Sequence, residues 1–258
     1  MALGQSSPTV ILTQPSPLAA EAAESRTDEI ETDRDSFTPS ARTVDRKRLV
    51  LESGYTYSNH TLGDAHSLPE LLFRYGATDC IEMRFGVNYE RANSADLLTG
   101  VNEREQKSNL NLGTKVRVTK QEGWIPESSL VLTALVPTSG LEPSTRFVAT
   151  YVVGWEMPNR WKLDAAIRYG TNSFDHDHFN DWAPSIVLKM PIGEKWSVHA
   201  EYFGIFTSGK EHDSVVQYFS PGVHYLATPD LEVGTRVGWG LNDQSARFFA
   251  NVGLGYRF

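Results

Sequence analysis

The chain has 258 residues but a single cysteine, Cys80, so no intramolecular disulfide can form and cysteine usage leaves the compartment open. Cys80 is read as structural. No window approaches the roughly 18 consecutive apolar residues of a membrane-spanning helix, which argues against a helical membrane protein. Long basic runs are absent as well. The 24 Lys and Arg are mostly dispersed along the strands against 32 Asp and Glu, for a net charge of -8. That distribution lacks the concentrated basic face that phosphate backbones require, so nucleic acid is not an expected partner. There is no phosphate-cradling glycine loop and no Cys/His metal cluster, so no cofactor is expected. The N-terminus has no charged start and no adequate apolar stretch for a complete signal peptide. Ala2-Leu3-Gly4 before Gln5 would nevertheless suit the end of one whose apolar part lies upstream.

What the chain does have is alternation. In Phe248-Phe249-Ala250-Asn251-Val252-Gly253-Leu254-Gly255-Tyr256-Arg257-Phe258, apolar or aromatic residues occupy every second position up to the terminal Phe. Phe248, Ala250, Val252, Leu254, Tyr256 and Phe258 would face lipid, while Phe249, Asn251, Gly253, Gly255 and Arg257 face an interior that tolerates polarity. Ile81, Met83, Phe85, Val87 and Tyr89 alternate with Glu82, Arg84, Gly86, Asn88 and Glu90 in the same way. One such strand also fits a soluble sandwich. Number and length discriminate better. Strands are expected at 48–58, 69–76, 80–91, 107–119, 127–137, 145–156, 160–170, 181–191, 195–207, 214–227, 230–240 and 246–258. That makes about twelve, each near the roughly 9 to 11 residues that a tilted membrane strand needs.

The connections alternate too. Tight ones at Ala77-Thr78-Asp79, Met157 to Arg160, Ile192 to Lys195 and Thr228 to Asp230 carry turn residues. Those at Asn59 to Leu68, Ala92 to Lys107, Thr138 to Ser144, Thr171 to Asn180 and Ser208 to Ser214 are mostly longer and more polar, as extracellular loops are. Leu241 to Ser245 is short for that side, and Lys120 to Pro126 long for the periplasmic side. Trp124, Trp161, Trp196, Tyr225 and Phe258 fall beside the short turns. Tyr57, Tyr89, Tyr169, Trp182, Phe206, Trp239 and Phe248 fall towards the loops, giving two interfacial girdles.

The expected fold is therefore an all-β, transmembrane, antiparallel up-and-down barrel over residues 47–258 in the outer membrane, in contact with its lipids. Residues 1–46 differ. They are rich in Pro, Ser, Thr and Ala, with an acidic run from Glu21 to Asp35. Such a stretch offers little apolar surface to offset its ordering entropy, so it is expected to be mostly flexible and periplasmic. Its second half also has the option of packing as a plug.

With these strands in place, several segments resemble the outer-membrane transporter family described as "MetA-pathway of phenol degradation". They are Glu31-Thr32-Asp33-Arg34-Asp35-Ser36-Phe37-Thr38-Pro39, Leu49 to Tyr57, Leu68 to Gly76, Glu201-Tyr202-Phe203 and Gly238 to Asp243. The resemblance runs from roughly residue 28 to the end. It implies passage of small solutes, including hydrophobic or aromatic ones, and carries over no catalytic residue. The incomplete signal peptide departs from an exported family. Resemblance to barrels recognised by an insertion machinery further implies that Phe258 is that machinery's contact.

The phase assigns pore-lining candidates: Glu52, Arg74, Glu82, Arg84, Lys115, Arg117, Arg168, His199, Glu201, Arg236 and Arg257. Glu70, Glu90, Arg146, Lys162, Asp164, Lys189, His224, Glu232 and Arg247 share it. Charges of both signs fit either a selectivity-setting lining or a packed ion-pair interior that holds the barrel shut. Arg or Lys on the lipid face would instead cost roughly 2 to 4 kcal/mol at mid-membrane. The loop run Phe174-Asp175-His176-Asp177-His178, with Glu211-His212-Asp213, offers metal-ligand types without fixed geometry, and a solvated loop is the better reading. A lipid-modifying enzyme would need a positioned Ser or His nucleophile-base pair. His199 and His224 lie inside by phase, His60 and His66 lie in a loop, and no Ser stands out beside them. The expectation is a channel with no enzymatic activity, the alternative a closed structural or surface-interaction barrel.

Overall fold

A computed structural model describes residues 29–61, 63–95, 102–140, 144–174, 177–209 and 213–258; side chains of 94–95, 102–105, 172–174 and 177 are not described. Twelve strands follow one another: β1 (Leu49–His60), β2 (Gly63–Gly76), β3 (Ile81–Ala95), β4 (Asn102–Thr119), β5 (Glu127–Ser139) and β6 (Arg146–Glu156), then β7 (Lys162–Phe174), β8 (Asp177–Ile192), β9 (Trp196–Ser208), β10 (Ser214–Thr228), β11 (Leu231–Gly240) and β12 (Phe248–Arg257). Each pairs antiparallel with its sequence neighbours. The sheet closes where β1 meets β12, from Val50 opposite Arg257 to Asn59 opposite Phe248. Closure satisfies every strand edge, which is what hydrocarbon demands of a sheet. Among the described residues no helix is long and apolar enough to cross a membrane.

The predicted phase holds. On β3, Met83 is 52% and Phe85 43% exposed, whereas Glu82, the neighbour of Met83, is fully buried. Leu112, Leu132, Tyr151, Ile167, Ile186, Phe219, Val233 and Leu254 continue the outward apolar belt. At the short-turn end Trp196 and Tyr225 pair at 4.7 Å; at the loop end Tyr169 and Trp182 pair at 4.6 Å.

The strands extend further at the loop end than alternation predicts. β2 begins at Gly63 rather than 69, β4 at Asn102 rather than 107 and β8 at Asp177 rather than 181, while β3 and β7 run on to Ala95 and Phe174. The Asn59–Leu68 and Thr171–Asn180 connections are thus mostly hairpin. Beyond the apolar belt both faces of the ladder meet water, so pairing continues after the apolar phase that betrays it has ended. Arg247 is not on the lumen phase of a strand: it is exposed in the connection ahead of β12. That connection folds inward, burying Ser245 and Ala246, with the Ala246 N–H donated to the Tyr218 hydroxyl at 2.9 Å.

Residues 29–44 lie inside the barrel, and residues 45–48 are exposed where the segment leaves it. The Ile30 N–H bonds the Pro229 carbonyl at 2.8 Å, and the Lys47 N–H bonds the Gly76 carbonyl at 2.7 Å, so both ends of this segment sit at the short-turn end. Between them the chain rises to Phe37 and Thr38 at mid-barrel and returns. The part of the expected flexible stretch before residue 29 lies outside the described residues.

Candidate functional site

The site is the lumen, and it is built from two parts: inward charges on the strands and the backbone of the segment they hold. Glu52 on β1 accepts the N–H groups of Asp33, at 3.0 Å, and Arg34, at 2.9 Å. Glu201 on β9 accepts those of Phe37 and Thr38, at 3.1 and 2.7 Å. Glu82 on β3 accepts that of Val44 at 2.8 Å, and Asp164 on β7 that of Ala41 at 3.2 Å. Ser129 on β5 donates to the Ala41 carbonyl. A non-regular segment buried among strands leaves its own backbone groups unpaired, and carboxylates around the wall satisfy them.

The charges also neutralise one another. Arg74 on β2 bonds Glu52 and Glu82, each at 2.8 Å, and donates to the Glu31 carbonyl at 2.8 Å. Asp33 sits among Arg84, at 2.6 Å, and Lys115, at 3.2 Å, with Arg74 at 3.7 Å. Burial alone would raise the Asp33 carboxyl, but Arg74, Lys115 and Arg84 outweigh it and hold the group well below the usual carboxylate range. For Glu31 burial is likewise opposed, by Lys162, Lys189 and Arg42, and the balance lies at about 2. Both groups stay ionised as part of the lock.

Above this network lies an aromatic layer. Phe37 stacks on Phe203 of β9 at 4.3 Å, and the Arg168 guanidinium covers the Phe37 ring, also at 4.3 Å. Phe203 continues into Tyr218 and Phe249. Gly255 on β12 accommodates the segment's approach, since a Cβ there would collide with the Thr32 methyl. Below, towards the short turns, a cavity of about 550 Å³ is lined by Glu31, Asp35, Lys162, Lys189, Trp196, His224 and Glu232.

The structure thus gathers Glu52, Arg74, Glu82, Arg84 and Lys115 into one network around Asp33, and Arg168, Glu201 and Arg236 into a second around Phe37 and Thr38. His199 joins His224, with 2.6 Å between Nδ1 and Nε2. Arg117 and Arg257 share the lumen phase but stand apart at the short-turn end, paired with Glu127 at 3.8 Å and Asp230 at 2.7 Å. The partners missed by pattern reading are Asp33, Asp35, Phe37 and Thr38. A signal existed, because Phe37 is the lone aromatic ahead of Tyr55. The acidic and histidine loop positions Asp175, His176, Glu211 and His212 lie outside the described residues.

The sequence matches the family described as "Putative MetA-pathway of phenol degradation" across residues 32–258. The chain belongs to this family. Its match starts within the luminal segment rather than at β1. The fold is similar to an outer membrane channel from Pseudomonas putida F1, with a TM-score of 0.67 at 12% identity, covering 88% of this chain and 100% of that one. It is also similar to the NanC porin, at 0.53 and 11%, covering 81% and 98%. The translocator domain of the autotransporter NalP from Neisseria meningitidis gives 0.51 and 10%, covering 93% and 95%. At these identities the likeness establishes the barrel alone. No curated protein matches the sequence.

Proposed function

We propose that this chain is an outer-membrane channel for small solutes, aromatic ones among them, and that its luminal segment closes the barrel at rest. The observation that carries this reading is the composition of the lock. Buried wall carboxylates such as Glu52 and Glu201 spend their hydrogen bonds on the backbone of a segment joined to the barrel at Leu49. Withdrawal of that segment would leave a charged, hydratable lumen rather than an apolar one. The fold's likeness to an outer membrane channel and a porin supports the same reading, as does the family's description, which names phenol degradation. Interspersed charges favour no single ionic sign. Movement follows a gradient, and the N-terminal segment faces the periplasm.

A second reading has its own support in the completeness of the packing: Thr38, Ser129 and Glu52 are all fully buried, as in a barrel that never opens. Single-channel recording in a planar bilayer separates the two. The full chain should show rare, small steps, and the chain lacking residues 1–46, once its heat-resistant migration confirms a folded barrel, long-lived larger ones. Flux of small aromatic acids into liposomes should rise in parallel. Silence from both folded, inserted proteins would overturn the channel reading in favour of a closed barrel.

A further inference from the structure

Asp35 on the luminal segment, His224 on β10 and Glu232 on β11 bring ligand atoms within 4.8 Å of one another. We propose that these three side chains bind one divalent transition-metal ion, of the zinc type, which clamps the luminal segment to the barrel wall. The inference concerns ion binding alone and holds whether or not the barrel conducts.

Three observations carry it. His224 is 2% exposed, yet its Nδ1 makes no hydrogen bond. That nitrogen faces two carboxylate oxygens, Asp35 Oδ2 at 3.6 Å and Glu232 Oε1 at 3.7 Å. These separations are too long for hydrogen bonds but suit a shared ion. Ligands about 2.1 Å from a four-coordinate zinc stand roughly 3.4 to 3.6 Å apart. The far nitrogen, Nε2, is 2.6 Å from His199 Nδ1, the outer contact that orients a metal-binding imidazole. When His224 Nε2 carries the proton of that bond, the Nδ1 lone pair points at two anions, an arrangement a cation between them converts from repulsive to attractive.

The surroundings permit an ion. Gly234 has no side chain to intrude, and a Cβ there would lie 2.7 Å from His224 Nδ1. Asp35, His224 and Glu232 all line the cavity of about 550 Å³ below, which gives a route from the short-turn end and room for water ligands. Lys189 already donates to Asp35 Oδ2 at 2.8 Å. A carboxylate offers about four lone-pair sites, enough to serve both an ammonium and an ion. Imidazole with carboxylate oxygen is a donor set suited to zinc.

The test uses the full chain in detergent, stripped with chelator and titrated calorimetrically with Zn²⁺. One equivalent should bind. Asp35→Asn and Glu232→Gln, which keep shape and remove charge, should each weaken binding by about tenfold or more, while replacement of the loop residues His176, His178 and His212 should leave that equivalent intact. A second readout follows the clamp itself. In a Cys80→Ser background, thiol labelling of Ser36→Cys should speed up when chelator is added, and Asp35→Asn should abolish that response. No binding by folded protein, affinity indifferent to Asp35 and Glu232, or loss of the equivalent with the loop histidines would each overturn the site.

Discussion

Oε1 of Glu201 accepts both the backbone N–H and the hydroxyl of Thr38, at 2.7 and 2.8 Å, so one carboxylate oxygen holds the apex of the luminal segment. The second oxygen takes the Phe37 N–H and the Arg236 guanidinium, the latter at 2.8 Å. Removing one partner from a buried, bonded charge pair costs about 3 to 5 kcal/mol, because the other groups are left unpaired. Glu201→Ala should therefore loosen residues 36–38 without preventing barrel assembly. Thiol labelling of Ser36→Cys, with Cys80 replaced by Ser, should accelerate at least tenfold in that variant. An unchanged rate would mean that Glu201 does not hold the apex.

The lipid-facing phase is tested on two adjacent residues of β3. Phe85 is exposed to the outside, while Arg84 points inward to Asp33, at 2.6 Å, and Glu82, at 2.7 Å. Phe85→Arg places a cation in hydrocarbon at a cost of roughly 2 to 4 kcal/mol and should sharply lower the yield of inserted barrel. Arg84→Ala should insert normally and show only a looser luminal segment. Equal yields of membrane-inserted protein from the two variants would refute the assignment.

Most of the barrel was legible because β3 and β12 obey a period of two for as long as lipid lies on one side. The strand ends beyond the lipid were not, since water on both faces erases the pattern while the hydrogen bonds persist. The wall half of the site was equally legible: Glu52, Arg74, Glu82 and Glu201 follow from phase alone. Its other half was not. Asp33, Asp35 and Thr38 belong to a segment whose composition promises no core of its own, and it borrows one from the barrel through carboxylates that satisfy its backbone. Composition measures what a segment buries in itself and is blind to a host.

Acid should release the segment only at low pH. A carboxylate whose pKa falls on folding contributes stability that is fully present above its unfolded value, and loses it as pH drops towards the folded value. Asp33 is depressed far below the normal range, and Glu31 to about 2. Labelling of Ser36→Cys, compared at equal thiolate concentration, should therefore stay flat from neutral pH down to about 4, near the ordinary carboxylate pKa, and rise below it. Asp33→Asn should label fast throughout, having lost the anion that Arg84 and Lys115 surround. Release centred near neutral pH would refute the assignment of the acid response to Asp33 and Glu31.

Phe258 carries two features that one deletion confounds, a backbone bond to β1 and an exposed ring. Its N–H bonds the Leu49 carbonyl at 2.8 Å, completing the seam between the chain's last residue and its first strand, while its ring stands 59% exposed at the outer rim, 4.7 Å from Tyr256. Deleting Phe258 removes this bond and its longer reciprocal, from the Leu49 N–H to the Phe258 carbonyl at 3.5 Å, together with the ring; each bond contributes a net of about 1 kcal/mol. Phe258→Ala removes only the ring. If the exposed aromatic is what an insertion machinery reads, Phe258→Ala should lower the outer-membrane yield in cells almost as far as deletion does, yet refold into detergent as well as the parent chain. Should the alanine variant reach the outer membrane at parental levels while the deletion fails, closure of β12 on β1 would account for the terminus, and recognition of the ring would not.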